Sequence, residues 1–128
     1  DNYFFFQTHS TNPFLSVKTI ISAINNFKKN YPQIDSLFSV NAFKSRFYNH
    51  QIKAINHNPN ILKKTQDLNK IYEENSCFYI FNKRSFQFNS ARIGKKPKIY
   101  EMNSLNFENL DIDTKSDFEL AKKIIKIL

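Results

Sequence analysis

The order of the first forty residues, an apolar run, a helical pattern and a second apolar run, constrains the fold more than any other feature. Residues 3–6 (Tyr-Phe-Phe-Phe) form a continuous apolar run, which is typical of a strand buried on both faces. Ser16 can cap a helix, whose predicted apolar face consists of Val17, Ile20, Ile21, Ile24 and Phe27. Residues 35–40 are predicted to form a second strand. Because strand, helix, strand is the unit of a parallel sheet, the chain is predicted to be α/β.

The rest of the chain continues this alternation. Residues 77–81 and 98–102 are predicted strands, and residues 84–86 start a short helix or turn. Between them lies a basic turn, residues 92–97, which contains the only glycine. The last helix is predicted to start at a Thr114–Asp117 capping box, and its predicted buried stripe consists of Phe118, Ala121, Ile124, Ile125 and Leu128.

Residues 41–75 are irregular and polar, with scattered aromatic residues. A connection of this length inside a compact domain is usually functional or forms an interface. We therefore expect one domain over residues 1–128, in which residues 41–75 form a dimerisation or substrate arm with a hairpin around residues 48–52.

Composition excludes several classes of function. The chain of 128 residues carries a net charge of +8, but only three of its basic residues are arginines and its lysines are scattered, so nucleic-acid binding is not expected. No apolar run is long enough to span a membrane. Cys77 is the only cysteine, so no intrachain disulfide can form, which fits a reducing, cytoplasmic location.

The sharpest local motif is Asp111-Ile112-Asp113. In an extended segment, residues two apart point to the same side, so both carboxylates can converge on one hard cation such as Mg²⁺. The alternative is that the two acids only complement the dipole of the helix that follows. The motif by itself leaves both interpretations open.

Two further segments offer polar groups next to strands. Residues 7–13 follow the first strand and precede a helix, which is where open α/β sheets bind ligands. Asn75 and Tyr79 are four residues apart, so in a regular strand they would face the same side. The alternatives are that residues 7–13 form an ordinary polar connection, that Asn75 only marks the start of a strand and that Tyr79 is a core residue. The histidines lack metal-ligand spacing, and a chain with one glycine has no glycine-rich phosphate loop.

Four segments, in order along the chain, resemble the acylneuraminate cytidylyltransferase family, which includes the CMP-sialic acid synthetases. Residues 3–14 are similar to its strand and Gln-(Pro/Thr)-x-Ser-x-Pro loop, and residues 35–40 to its next strand. Residues 65–80 resemble the segment that ends in Asn-Gly-x-x-Tyr. Residues 110–118 resemble its closing Ile-Asp-Ile-Asp-Thr-x-x-Asp motif.

This resemblance implies a three-layer, nucleotide-sugar-transferase-like α/β fold with a mainly parallel sheet, lacking its N-terminal part. It implies transfer of CMP from CTP to a sialic-acid-like 2-keto-3-deoxy sugar acid, with Mg²⁺ as cofactor and pyrophosphate as product. Asp111 and Asp113 match the catalytic, metal-binding acids, and Gln7, Asn75 and Tyr79 match residues that line the sugar-acid pocket. The arm of residues 41–75 corresponds to the part that reaches across a homodimer.

The chain also departs from the family pattern. The N-terminal strand and the Gly/Arg/Lys-rich loop that grips the CTP phosphates are missing, so this chain alone is expected to be incomplete for catalysis. Ser76 replaces the usual glycine, and Thr65 and Glu73 stand where relatives often carry arginines. The alternative function is that of a non-catalytic relative that binds a nucleotide or a partner.

Overall fold

The computed structural model describes residues 3–103 and 106–128, which contain four strands and three α-helices. The strands are β1 (Phe4–Thr8), β2 (Ser36–Phe43), β3 (Ile71–Asn82) and β4 (Pro97–Glu101). The helices are α1 (Val17–Asn30), α2 (Lys83–Asn89) and α3 (Lys115–Ile125). The predicted alternation of strands and helices is confirmed.

The four strands form one mixed sheet in the order β1-β3-β2-β4. β3 pairs antiparallel with both β1 and β2, whereas β2 and β4 are parallel. β1, β2 and β4 therefore run in one direction, and the predicted α/β class is confirmed. The mainly parallel sheet that we expected is instead mixed, because β3 separates the two strands of the predicted strand-helix-strand unit.

The core lies between α1 and the sheet. Ala23 and Phe27 of α1 are buried in one cluster with residues of β2 and β3, and with Met102, which follows β4. β3 is suited to a central position because Cys77, Phe78, Tyr79, Ile80 and Phe81 are all buried. An apolar run of this kind requires cover on both faces.

Both long helices start where the sequence predicts. The Ser16 hydroxyl accepts a hydrogen bond from the Thr19 amide at 3.1 Å, so Ser16 is the N-cap of α1. Thr114 and Asp117 form the predicted capping box of α3.

The buried stripes of these helices are narrower than predicted. In α1, Val17 and Ile21 are exposed, and burial concentrates on Ala23 and Phe27. Of the stripe predicted for the C-terminal helix, Phe118, Ile125 and Leu128 are exposed, whereas Ala121 and Ile124 are buried. The helices contact their surroundings along narrow lines, so the outer apolar positions remain in solvent.

Gly94 is required by the close approach of the Asp35 side chain to the backbone of residue 94. A Cβ atom at this position would lie 2.3 Å from Oδ1 of Asp35. The Asp35 carboxylate accepts hydrogen bonds from the amides of Lys95 (2.8 Å) and Lys96 (3.1 Å). The glycine thus lets the turn before β4 wrap around an acid at the start of β2.

Residues 44–70 connect β2 to β3. The chain turns back at residues 49–53, and Tyr48 pairs antiparallel with Ala54, in agreement with the predicted hairpin. A single 3-10 turn follows at Thr65–Asp67. No helix in the described residues is both long and apolar enough to cross a membrane.

Candidate functional site

Polar side chains gather at one edge of the sheet, where β1, β2 and β4 end and β3 begins. Gln7 lies next to the end of β1, Asn41 lies near the end of β2, and Asn75 lies in the first half of β3. The carboxyl ends of the strands are where open α/β sheets bind ligands. The geometry of this edge therefore decides what the predicted site residues can do.

Gln7 and Tyr79 lie opposite each other on β1 and β3 and share a cavity of about 480 Å³. We call it the Tyr79 cavity, and its lining residues are Gln7, Glu74, Tyr79, Phe86, Ser90, Ala91, Arg92 and Ile93. A volume of this size is within the range of small-molecule sites, roughly 300 to 1,000 Å³. The structure thus brings together two of the three residues predicted to bind the sugar acid.

Tyr79 is held by polar partners although its side chain is buried. Its hydroxyl donates a short hydrogen bond to the Glu74 carboxylate and lies 3.1 Å from Oγ of Ser76. Burial, followed by the hydrogen bond to Glu74, raises the pKa of Tyr79 above its usual range. The phenol is therefore a neutral, fixed hydrogen-bonding group at neutral pH.

A bulge in β3 separates Asn75 from Tyr79. Phe38 of β2 lies opposite Tyr79, but Val40, only two residues later, lies opposite Glu74. The extra residues of β3 are accommodated by a left-handed backbone at Ser76, with φ 58°. The hydroxyl of Ser39 closes the gap, because it accepts from the Phe78 amide (3.0 Å) and donates to the Phe78 carbonyl (3.2 Å).

Asn75 consequently faces a second group of polar residues. Its Nδ2 donates to Oδ1 of Asn41 at 2.8 Å, and the same oxygen accepts from Nδ2 of Asn109 at 3.1 Å. Asn41, Met102 and Asn109 line a second cavity of about 510 Å³. Asn75 therefore lies beside this second cavity, whereas Gln7 and Tyr79 line the first.

Asp111 lies against the loop that follows β1. The Ile112 amide donates to the Thr11 carbonyl (2.9 Å), and Nδ2 of Asn12 donates to the Leu110 carbonyl (3.1 Å). Oδ1 of Asp111 and Oδ1 of Asn12 are both buried without a hydrogen-bond partner. Asp113 is exposed, and its amide donates to the Asp117 carboxylate at 3.2 Å.

A buried carboxylate oxygen without a donor fits a cation, because burying an unpaired charge is costly. Asp111 also lies close enough to β3 to affect Cys77, whose pKa is raised to about 12 by burial and then by the charges of Asp111 and Glu108. Among residues 3–103 and 106–128, no group of three or more His, Cys, Asp or Glu side chains is placed to hold a metal. A cation bound by Asp111 and Asp113 alone would take its other ligands from water and phosphate oxygens, as Mg²⁺ commonly does.

Sequence reasoning missed four polar residues of this edge. Arg92 and Glu74 line the Tyr79 cavity, Asn41 holds Asn75, and Glu108 is almost fully buried. Arg92 belongs to the basic turn that the sequence does indicate, but only the fold brings this turn to Tyr79. No local pattern marks the other three.

A solved structure shares the fold. The chain is similar to a 4-diphosphocytidyl-2C-methyl-D-erythritol synthase from Anaerococcus prevotii, with 14% identity and a TM-score of 0.60. The match covers 96% of this chain and 58% of that protein, so the chain spans well under two thirds of its length. At this identity the likeness concerns the fold alone.

Sequence comparison gives the family. Residues 1–127 match the family model described as cytidylyltransferase, and the chain belongs to this family. No curated protein matches the chain.

Proposed function

We propose that the complete protein transfers CMP from CTP to a sialic-acid-like 2-keto-3-deoxy sugar acid and releases pyrophosphate. Membership in the cytidylyltransferase family supports a CTP-dependent transfer. The choice of a sugar acid depends on the resemblance carried by Gln7, Asn75, Tyr79 and the Asp111–Asp113 motif. The observation that supports the proposal is that Gln7 and Tyr79 line one cavity, whereas Asn75 bonds Asn41 beside the second cavity. The Asp111–Asp113 segment contacts the loop that follows β1.

The polar groups that line the two cavities can bind a polyhydroxylated acceptor. Gln7 supplies an amide beside the fixed phenol of Tyr79, and Asn75 is held by the Asn41 amide. Amides and hydroxyls of this kind orient sugar hydroxyl groups through hydrogen bonds. In this proposal they position the acceptor hydroxyl for attack on the α-phosphorus of CTP.

Asp111 and Asp113 would hold Mg²⁺. When bound, the ion would neutralise charge on the phosphate oxygens as pyrophosphate leaves. The unpartnered Oδ1 of Asp111 supports its role as a ligand.

The test is pyrophosphate release by the complete protein with CTP and Mg²⁺ across a panel of 2-keto-3-deoxy sugar acids. We expect release only when CTP, Mg²⁺ and an acid are all present. Binding of CTP without release, with every acid, would favour the non-catalytic relative.

Replacement of Asp111 by Asn tests the metal site. It should lower kcat by several orders of magnitude, because a ligand that bridges metal and phosphate contributes several kcal/mol to the transition state. Glu119→Gln is the matched control, since it also neutralises one acid, and Glu119 is exposed on α3, where it pairs with Lys122. Unchanged activity of Asp111→Asn would contradict the assigned role.

We also propose that the arm of residues 41–75 forms a homodimer interface. Its tip exposes apolar side chains that a monomer would leave in water, namely Tyr48, Ile52, Ile55, Ile61 and Leu62. Internal hydrogen bonds hold the tip together, including Nδ2 of Asn56 to the Ser45 carbonyl at 2.6 Å and the Phe47 amide to Oδ1 of Asn56 at 3.0 Å. The exposed side chains are thus presented by an ordered segment.

A further inference from the structure

Arg92 lies over the Tyr79 ring and lines the Tyr79 cavity. Its Cζ lies 4.0 Å from the ring centroid, and its Nη1 lies 3.4 Å from Nε2 of His9. The cation–π contact with the ring holds the guanidinium in place. The N–H donors of Arg92 are therefore kept at the cavity, where they can bind a planar partner.

Arg92 forms no ion pair with an acid in the part of the chain that the structure describes. Among the residues that the structure describes, the ion pairs are Lys70–Glu101 and Lys122–Glu119, both exposed. Glu74 is the acid that lines the same cavity, and its carboxylate accepts a hydrogen bond from Tyr79. The cavity thus offers an unpaired cation beside a carboxylate that is already engaged.

The other lining groups indicate what kind of anion fits. Gln7 can bond a hydroxyl, and Phe86 and Ile93 give the cavity apolar surface. A guanidinium fork matches a carboxylate in two parallel hydrogen bonds. A carboxylate attached to a carbon skeleton with hydroxyl groups satisfies all of these groups, whereas a bare phosphate leaves the apolar surface uncovered.

We propose that Arg92 binds the carboxylate of the acceptor acid and makes the site specific for acids over neutral sugars. This inference rests on the proposed function and adds the residue that recognises the acid. Arg92 is the arginine that reaches the cavity, since Arg84 is exposed on α2 and Arg46 bonds the Lys63 carbonyl within the arm.

The test measures binding by calorimetry on the complete protein, separately from turnover. The ligands are N-acetylneuraminate, 3-deoxy-manno-octulosonate, the methyl ester of each, and CTP. Arg92→Gln should weaken binding of the preferred acid roughly 10- to 100-fold, the range for a charged hydrogen-bonded contact. The ester should bind weakly to the wild type and be insensitive to the variant, and the affinity for CTP should not change.

Two further variants keep the result interpretable. Arg84→Gln removes the same charge outside the cavity and should bind the acid like the wild type. Arg92→Lys keeps the charge but loses the planar fork, and it should fall between wild type and Arg92→Gln. Equal melting temperatures of the variants would exclude a folding defect as the cause.

Any one of four results would overturn the inference. The first is that Arg92→Gln and Arg84→Gln bind the acid equally well, and the second is that Arg92→Gln loses affinity for CTP instead of the acid. The third is that the wild type binds the ester as tightly as the acid, and the fourth is that it binds neither acid. In the first case, continued pyrophosphate release would leave the proposed function intact. Absence of release with every acid, despite acid binding that depends on Arg92, would contradict the proposed function instead.

Discussion

Ser76 carries backbone strain at the centre of the candidate site. Its φ of 58° lies in the left-handed region, which costs an L-residue other than glycine roughly 1–2 kcal/mol. The same residue forms the bulge that directs Asn75 and Tyr79 to different cavities. The Asn-Gly-x-x-Tyr pattern has glycine at this position, so a serine here keeps the geometry at a cost in stability.

We predict that Ser76→Gly is more stable than Ser76→Ala by about 1 kcal/mol. Both variants lose the hydroxyl that contacts Tyr79, so their difference isolates the backbone term. Denaturant unfolding of the two variants measures it. Equal stability would mean that residue 76 does not adopt the left-handed conformation.

Cys77 should be inert in the folded protein. It is fully buried and its pKa is raised to about 12, so almost no thiolate forms near neutral pH. We predict that iodoacetamide at pH 8 does not alkylate the native protein but does alkylate the unfolded chain, as followed by mass spectrometry. Fast modification of the native state would contradict this burial.

The raised pKa of Cys77 also makes the free energy of unfolding depend on pH. The folded state retains the thiol proton more tightly than the unfolded chain, whose cysteine ionises near pH 8.5. The contribution is therefore complete below about pH 8.5 and is lost as the pH rises from there towards the folded value near 12. Cys77→Ala should lose this dependence.

At the scale of single residues, chemical identity could be predicted from sequence but placement could not. Asn75 and Tyr79 are named by their motif, but counting residues along a regular strand assigns them to one side. The bulge depends on a pairing between β2 and β3, and no local pattern encodes it. The contact of Arg92 with Tyr79 could not be predicted for the same reason, because the two residues lie in different segments of the chain.

Among the elements, α1 depends on an acid that is remote in sequence. Oε1 of Glu108 accepts a hydrogen bond from the Ser16 amide at 3.0 Å, and Oε2 accepts from the Thr19 hydroxyl at 2.6 Å. A carboxylate at this end also complements the dipole of the helix. The segment before Asp111 is thereby fixed to the start of α1.

We predict that Glu108→Ala lowers the free energy of unfolding by about 2 kcal/mol, because it leaves a part-buried amide and hydroxyl without acceptors. Glu119→Ala, which removes an exposed acid of α3, should change it by less than about 0.5 kcal/mol. Thermal and denaturant unfolding provide the comparison. Equal effects of the two substitutions would exclude the capping role of Glu108.

Helix starts were predictable because a cap is a local device. Ser16 and Thr114 bond amides only three residues away. The width of a buried stripe depends instead on how much of the helix surface meets other elements. Sequence periodicity therefore overestimated the buried face of α1 and of the C-terminal helix.

For the whole molecule, the arm of residues 41–75 is the feature with the clearest consequence for assembly. Leu62 is 98% exposed and Ile52 is 82% exposed. Under the proposed homodimer, the double variant Ile52→Lys/Leu62→Lys should shift the complete protein from dimer to monomer in size-exclusion chromatography with light scattering.

The matched control for the arm is Val17→Lys/Ile127→Lys, which alters exposed apolar side chains outside it. It should remain dimeric. A wild type that is monomeric at all accessible concentrations, or a control that dissociates equally, would contradict the assigned interface.

The α/β class could be predicted from the first forty residues, but the position of β3 could not. Its apolar run fits a central strand that is either parallel or antiparallel to its neighbours. A strand buried on both faces has no alternation of apolar and polar residues that could distinguish the two. The connection of residues 44–70 is long enough to return the chain in either sense. Only the pairing of β3 with both β1 and β2 fixes its antiparallel direction.

The central place of β3 has a consequence for biosynthesis. A ribosome delivers β1 and β2 well before Ile71–Asn82, the strand with which both must pair. Until then, their backbone amides and aromatic side chains stay uncovered on a nascent chain, which is the condition that recruits chaperones. A translational pause before Asn82 would thus extend the interval of greatest risk of misassembly.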